Sequence, residues 1–223
     1  MTRTAGYRHS SIPDGLGAVR EIGRVEGFET EAMVDATTID AKLLRQFAAV
    51  AFLSTSDGIL DAHERAAFAT WLGRGGGFVG IHSASTCEDD WPEFEAIVGA
   101  RFASHPEVQR GVVTIDDADH PSTASLPQRW PGVDEWYNFQ TNPRPRVRVL
   151  ASIDEATIEG GTMGADHPIA WSGTYGLGRT WYTGLGHTSE RYDEQLFRDH
   201  LAGGVRSCWP DEGGEGNREG NLL

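Results

Sequence analysis

Residues 75–85 read GGGFVGIHSAS, and this stretch decides the fold. Phe78 to Ile81 is a short, uninterrupted apolar run of strand length, as expected of a parallel strand covered on both faces. Three glycines close the element before it, and a polar turn centred on His82 follows. Upstream, Asp61 with Glu64 forms a capping-box pattern, and Ala62, Ala66, Ala69 and Leu72 recur as one helical face. Earlier still, Ala48 to Leu53 is a second continuous apolar run, preceded by a short helix that Thr38 or Asp40 can cap. Residues 28–82 therefore alternate strand and helix, the pattern of a parallel sheet with helices on its faces. Pro13, followed by Leu16, Val19 and Ile22 at threefold spacing, predicts one more helix after an N-terminal polar loop.

Beyond residue 100 the texture changes to strands and turns. Gln109 to Ile115, Arg146 to Ser152, Ile169 to Trp171 and Arg179 to Thr183 read as strands, and Asp193 to Leu201 as a last helix. The reading is one doubly wound α/β domain over residues 1–208, with helices on both faces of the sheet and a loop-rich second half. Residues 209–223 are too polar to order themselves and are expected to form a disordered tail.

Thirty-three acidic and 19 basic side chains give the 223 residues a formal charge of −14. That balance repels phosphate and argues against nucleic acid and anionic membranes as partners. The one basic run, Arg144 to Arg148, alternates with Pro145 and Val147 and reads as a solvated strand face. The longest aliphatic and aromatic run, Phe47 to Leu53, is too short for a membrane span, and the first residues lack a signal-peptide pattern. Cys87 and Cys208 are too few for a disulfide framework or a thiolate zinc site. A cytoplasmic, reducing setting is the expectation.

The chemistry is expected at strand ends, where doubly wound sheets collect their ligands. A sharp turn after Phe78 to Ile81 would expose His82, a residue suited to proton transfer or metal ligation. Gly184-Leu185-Gly186-His187 closes another predicted strand in the same way, so His82 and His187 would face one crevice. His9, in the polar loop Gly6 to Ser11, could join them, and three histidines could hold a divalent metal, although no dense motif such as His-Glu-x-x-His is present. The pair His63-Glu64 reads as a solvated helix face. Of three His-Pro pairs, at His105, His120 and His167, only His167 is expected to line a cleft. Asp134-Glu135-Trp136-Tyr137-Asn138-Phe139 combines acids, aromatic rings and an amide. That is the equipment for a small ring-shaped ligand such as a sugar, and equally the composition of an amphipathic strand with its aromatics inward.

Taken in order, TAGYRHSSIP, GGGFVGIHSAS, GARFASHP, DEWYNFQTNPR, GGTMGADHPIAW and GRTWYTGLGHTSE resemble the ThuA-like, or trehalose-utilisation, family, whose fold is similar to that of class I glutamine amidotransferases and flavodoxin. The resemblance spans Thr4 to Gly204. It implies a bacterial role in carbohydrate catabolism, around trehalose, related glucosides and their keto-sugar derivatives; an enzyme acting on a keto sugar by isomerisation or elimination needs a base beside the carbonyl and a group that stabilises the enolate. The alternatives are a non-catalytic sugar-binding domain and a metal-dependent hydrolase. Under it, His82 and His187 are the base and acid candidates, with His9 as third partner and Glu135 as alternative base. Tyr7, Trp136, Tyr137, Asn138, His167 and Arg179 would contact substrate, and His9, His82 and His187 would be the ligands of any metal. Amidotransferases place Cys at the elbow and use a His-x-Glu. This chain has His82 there and His187-Thr188-Ser189-Glu190, so glutamine hydrolysis is excluded. Surface tryptophans could support a homo-oligomer. The family's usual first strand is absent before the TAGYRHSSIP loop, where only Met1, Thr2 and Arg3 stand. This predicts unpaired backbone inside the sheet and a natural start upstream of Met1.

Overall fold

The computed structural model describes residues 1–33, 38–209 and 221–223. Helix α1 (Ile12–Glu26) begins with Pro13 in its first turn and stops at Gly27, whose φ of 84° lets its N–H return to the Gly23 carbonyl. Strand β1 (Glu29–Thr30) and helix α2 (Ala41–Leu44) follow, the latter capped by Asp40 through the Leu43 N–H. Strand β2 is Ala49–Leu53, and helix α3 (Ala62–Gly73) carries the predicted Asp61/Glu64 capping box. Glu64 is not on a solvated face, however. It is 6% exposed and accepts from the Ile39 N–H and from Arg3, so it ties three segments together. Strand β3 is Gly77–Ile81 and the short helix α4 is Phe94–Val98.

The second half contributes β4 (Phe102–Ser104), β5 (Gln109–Ile115), β6 (Arg129–Asp134), β7 (Asn138–Phe139), β8 (Arg148–Ile153), β9 (Pro168–Tyr175), β10 (Gly178–Thr183), α5 (Gln195–Ser207) and β11 (Asn221–Leu222). Among the described residues, nine strands form one sheet in the order β1-β11-β2-β3-β10-β9-β8-β5-β6. The pairs from β1 to β10 are parallel, and those from β10 to β6 are antiparallel. Helices cover both faces. Phe52 and Phe78 meet Phe68 of α3 and Phe94 of α4 on one side, with ring centroids 5.2–6.1 Å apart. On the other side α1 and α5 approach closely enough that a side chain at Gly204 would collide with Trp181. The α/β architecture with a loop-rich second half is thus as the sequence predicts. The Arg144 to Arg148 run is spent on acids, with Arg144 on Asp166 and Asp116, Arg146 on Glu95, and Arg148 on Asp117.

The expectation of unpaired backbone inside the sheet is corrected, and so is that of disorder for the last three residues. Residues 210–220 lie outside the described residues, but Asn221 to Leu223 are not a disordered tail. They run parallel to β2, with Leu222 and Leu223 each 2% exposed. Leu223 N–H donates to the Ala49 carbonyl at 3.1 Å and Ala51 N–H donates to the Leu223 carbonyl at 2.7 Å. The Met1 ammonium takes up the same ladder at the Ala51 carbonyl (2.6 Å), and Leu53 N–H donates to the Met1 carbonyl at 3.0 Å. The two ends fill one strand slot end to end, so the backbone of β2 is not left unpaired. The apolar pair Leu222-Leu223 explains why: burying two leucines outweighs ordering three residues.

Candidate functional site

Strands β3 and β10 run parallel with Ile81 opposite Thr183, so the residues that leave their C-terminal ends emerge side by side. His82 follows β3 with a φ of 52°, a left-handed conformation that costs a non-glycine residue about 1–2 kcal/mol and is retained where the surroundings over-determine it. The turn does not expose His82: the side chain is fully buried and aimed inward. The Gly184 to His187 loop follows β10. It is held by Asp134 at the end of β6, which accepts from the N–H groups of Gly186 (2.9 Å) and His187 (3.0 Å). His9 enters from the loop ahead of α1, and Glu135 and Tyr137 from the link between β6 and β7.

These side chains converge on His82 Nε2. His9 Nε2 lies 3.1 Å away, His187 Nδ1 3.2 Å, the Tyr137 hydroxyl 3.0 Å and Glu135 Oε2 3.5 Å. Glu135 Oε2 is also 3.2 Å from His187 Nδ1. One ligating atom from each of His9, His82, Glu135 and His187 can be chosen so that all four lie within 4.8 Å of one another. On the far side of its ring, His82 Nδ1 donates to the Gly184 carbonyl at 2.9 Å, which fixes the ring's orientation.

Burial, reinforced by the neighbouring charges of His82 and His187, pushes the His9 pKa down to about 3, so this ring is neutral. Burial alone would raise the Glu135 carboxyl, but hydrogen bonds from His187 and His82 and their charges outweigh it, and the group stays ionised well below the usual carboxylate range. The same hydrogen bond to Glu135 raises His187. Tyr137 is raised well above 10 by burial and by the Glu135 charge, so its phenol keeps its proton as a donor. The site therefore holds a fixed negative charge, a phenolic donor and three imidazoles.

The predicted residues divide cleanly. His9, His82, His187, Glu135 and Tyr137 meet, and Tyr7, 68% exposed, stands at the rim with its ring edge-on to His9. Trp136 is core: its ring is fully buried under Gly111 and its indole N–H is spent on the Gln109 carbonyl. Asn138 spends its amide on Ser104, Gly160 and Thr162, so it is a loop tie. His167 lies behind the site, between Glu155 and the Tyr137 carbonyl (2.7 and 2.8 Å), and supports Tyr137 rather than lining a cleft. Arg179 sits at the opposite end of β10, bonded to the Trp209 carbonyl, and cannot reach the cluster. His105 is the residue that sequence reasoning passed over. Its Nδ1 lies 3.0 Å from Glu135 Oε1, and it is 42% exposed at the mouth. Its signal was the His-Pro pair in GARFASHP, which is indistinguishable in sequence from the other two. Cys87 is fully buried, its thiol raised by burial and bonded to Thr55, which removes it as a nucleophile.

Among the described residues no helix is long and apolar enough to cross a membrane. No curated protein matches the sequence. Among solved structures, a ThuA-like protein from Bacteroides uniformis superposes with a TM-score of 0.75 at 23% identity, covering 92% of this chain and 89% of that one. A second, from Parabacteroides merdae, gives 0.70 at 19% identity, covering 92% and 88%. A β-galactosidase from Rahnella matches at 0.54 and 15% identity, with 88% of this chain laid on 26% of that one. These likenesses establish the fold. The family model described as trehalose utilisation, ThuA, matches residues 1–208, and with the strand-end histidines in place the chain belongs to the ThuA family.

Proposed function

We propose that the chain is a carbohydrate-catabolism enzyme that moves a proton next to the carbonyl of a glucoside-derived keto sugar, leading to isomerisation or elimination. The observation that carries this reading is the convergence of an ionised carboxylate, a phenol and three imidazoles in one strand-end cluster, with the more exposed Tyr7 and His105 at its edge. The base role passes from His82 to Glu135. His82 is fully enclosed, with Nδ1 committed to Gly184, whereas Glu135 lies next to the partly exposed His187 and His105.

In the proposed step, the Glu135 carboxylate takes the proton from the carbon beside the carbonyl. The C–H electron pair becomes the C=C bond of an enolate, and the carbonyl oxygen gains the charge. The Tyr137 O–H and the histidine face of the pocket stabilise that oxygen. Returning the proton to the former carbonyl carbon, while the adjacent hydroxyl passes its own proton to the enolate oxygen and becomes the new carbonyl, gives an isomer; expulsion of an alkoxide from the next carbon, which takes up the proton held by Glu135, gives elimination. Membership of a family described by trehalose utilisation supports a sugar substrate. The test is exchange of the α-proton of a keto-glucoside in D2O, followed by NMR. Glu135→Gln is expected to slow exchange by about a hundredfold or more. Equal exchange in wild type and in a folded Glu135→Gln variant would overturn the assignment.

A further inference from the structure

We infer that His9, His82 and His187 are the ligands of one divalent first-row transition-metal ion, with the Glu135 carboxylate beside it. For its role in catalysis the ion rests on the proton-transfer reading above; for its ligands it rests on geometry alone.

The argument starts from where the ring protons must be. The Gly184 carbonyl oxygen can only accept, so the proton of a neutral His82 is on Nδ1, and Nε2 presents a lone pair to the cluster. Ser83 donates its hydroxyl proton to the Thr55 carbonyl at 2.9 Å. Its oxygen is therefore an acceptor for His9 Nδ1, 3.5 Å away, and His9 Nε2 is left with a lone pair as well. These two lone pairs face each other at 3.1 Å, and His187 Nδ1 closes on the same His82 nitrogen at 3.2 Å. With a proton on His187 Nδ1 engaged by Glu135, the phenol proton of Tyr137 can satisfy one of the two facing nitrogens of His82 and His9 and not both. A cation between them turns the same crowding into coordination.

Distances agree with this. Imidazole–metal bonds of about 2.0–2.1 Å at angles of about 90–110° set neighbouring ligand atoms roughly 3.0–3.4 Å apart, and the two observed contacts fall in that range. The remaining separations, all within 4.8 Å, close by rotation of the partly exposed His187. Supporting groups face the other nitrogen of two of the rings in the way metal-bound histidines are held: the Gly184 carbonyl fixes His82 and the Ser83 hydroxyl oxygen faces His9 Nδ1, while Asp134 holds the backbone of the His187 loop. Three imidazoles with a carboxylate and no thiolate suit zinc, iron(II), cobalt(II), nickel(II) or manganese(II), and not magnesium or calcium, which prefer oxygen ligands throughout. The Glu135 carboxylate also supplies a partial countercharge, so a doubly charged ion would leave the site net positive toward a developing enolate oxygen.

The experiment uses untagged protein stripped with a chelator, dialysed and titrated with Co²⁺ and Zn²⁺, followed by calorimetry and by the visible absorption of bound Co²⁺. One ion per chain is expected. His82→Ala and His187→Ala, shown to be folded by circular dichroism, should each weaken binding by about a hundredfold, and the milder Glu135→Gln by about tenfold. His63→Ala, an exposed histidine on α3, should leave binding unchanged. Folded wild-type protein that takes up no ion at micromolar Co²⁺, or uptake that survives His82→Ala, would overturn the site and leave a shared proton as the bond among the rings. Because these readouts need no sugar, the two readings fail separately. Full keto-glucoside exchange by stripped protein removes the ion's role in catalysis and keeps the proton transfer, whereas stoichiometric binding without any exchange upholds the metal site and removes the sugar chemistry.

Discussion

Replacing Asp134 by Ala is expected to be among the most damaging changes near the pocket that leave every converging side chain in place. The Asp134 carboxylate is fully buried and accepts three N–H groups, from Glu135 (3.0 Å), Gly186 (2.9 Å) and His187 (3.0 Å). It also faces the buried guanidinium of Arg191, with Nε 3.2 Å from Oδ2. That contact is not aligned as a hydrogen bond: Arg191 Nε and Nη2 have no hydrogen-bond partner, although Nη1 reaches Glu194 at 2.7 Å and the guanidinium lies 4.5 Å over the Trp130 ring. Asp134 thus compensates the Arg191 charge through space. Removing one partner of a buried ion pair costs about 3–5 kcal/mol, because the other charge is left stranded. Against a total stability of about 5–15 kcal/mol, such a loss is large and easily read in urea. A double-mutant cycle with Arg191→Met isolates the cause. The paired change should recover about 2 kcal/mol relative to the sum of the single changes. A loss below about 1 kcal/mol for Asp134→Ala, or strict additivity with Arg191→Met, would refute the reasoning.

Two further outcomes follow from buried groups away from the pocket. Burial holds His200 neutral, with its pKa lowered to about 4 despite a hydrogen bond to the Ser122 carbonyl, and the nearby His120 and Arg191 add to the shift. A histidine lowered on folding stabilises the protein fully above its unfolded pKa of about 6.5. That contribution is lost as pH falls from about 6.5 to 4, about 3 kcal/mol in all. His200→Gln should flatten the urea-midpoint profile over that interval, and an unchanged slope would remove His200 as its source. At the far end of the sheet, Leu222→Asp should cost at least about 3 kcal/mol by placing a carboxylate in the slot beside β2. It should also release the Ala48 and Ala51 amides, which donate to the Asn221 and Leu223 carbonyls, to hydrogen exchange, and full protection of both would show that the Asn221–Leu223 ladder is dispensable.

The parallel half of the fold is legible in the sequence because its signals are local. The Asp61/Glu64 box, the Gly75 to Gly77 break and the apolar runs of β2 and β3 are each decided by neighbours within a few residues. The composite strand at the chain ends is not legible, since nothing local tells Leu222-Leu223 that β2 has a free edge 170 residues away in sequence. The same distinction runs through the site. His82 and His187 are readable as strand-end residues, and His9 as their partner, because topology alone brings those three together. Which of three His-Pro pairs reaches the pocket depends on loop paths that the dipeptide does not encode, so His105 was hidden and His167 misplaced.

The Asp134-Glu135 pair shows how much of the chemistry hangs on strand geometry. Consecutive residues at the end of a strand point to opposite sides, and here two identical charges one residue apart are given opposite tasks. Asp134 turns into the protein, where three N–H groups and a stranded arginine fix it and, through it, the His187 loop. Glu135 turns out toward the histidines and stays partly reachable beside His105. Asp134 is therefore committed to backbone N–H groups and to Arg191, whereas Glu135 is the acid placed among the imidazoles. It follows that a swap of the two acids for their amides should separate the roles: Asp134→Asn should act first on stability and on the placing of His187, whereas Glu135→Gln should spare the fold and act on the reaction.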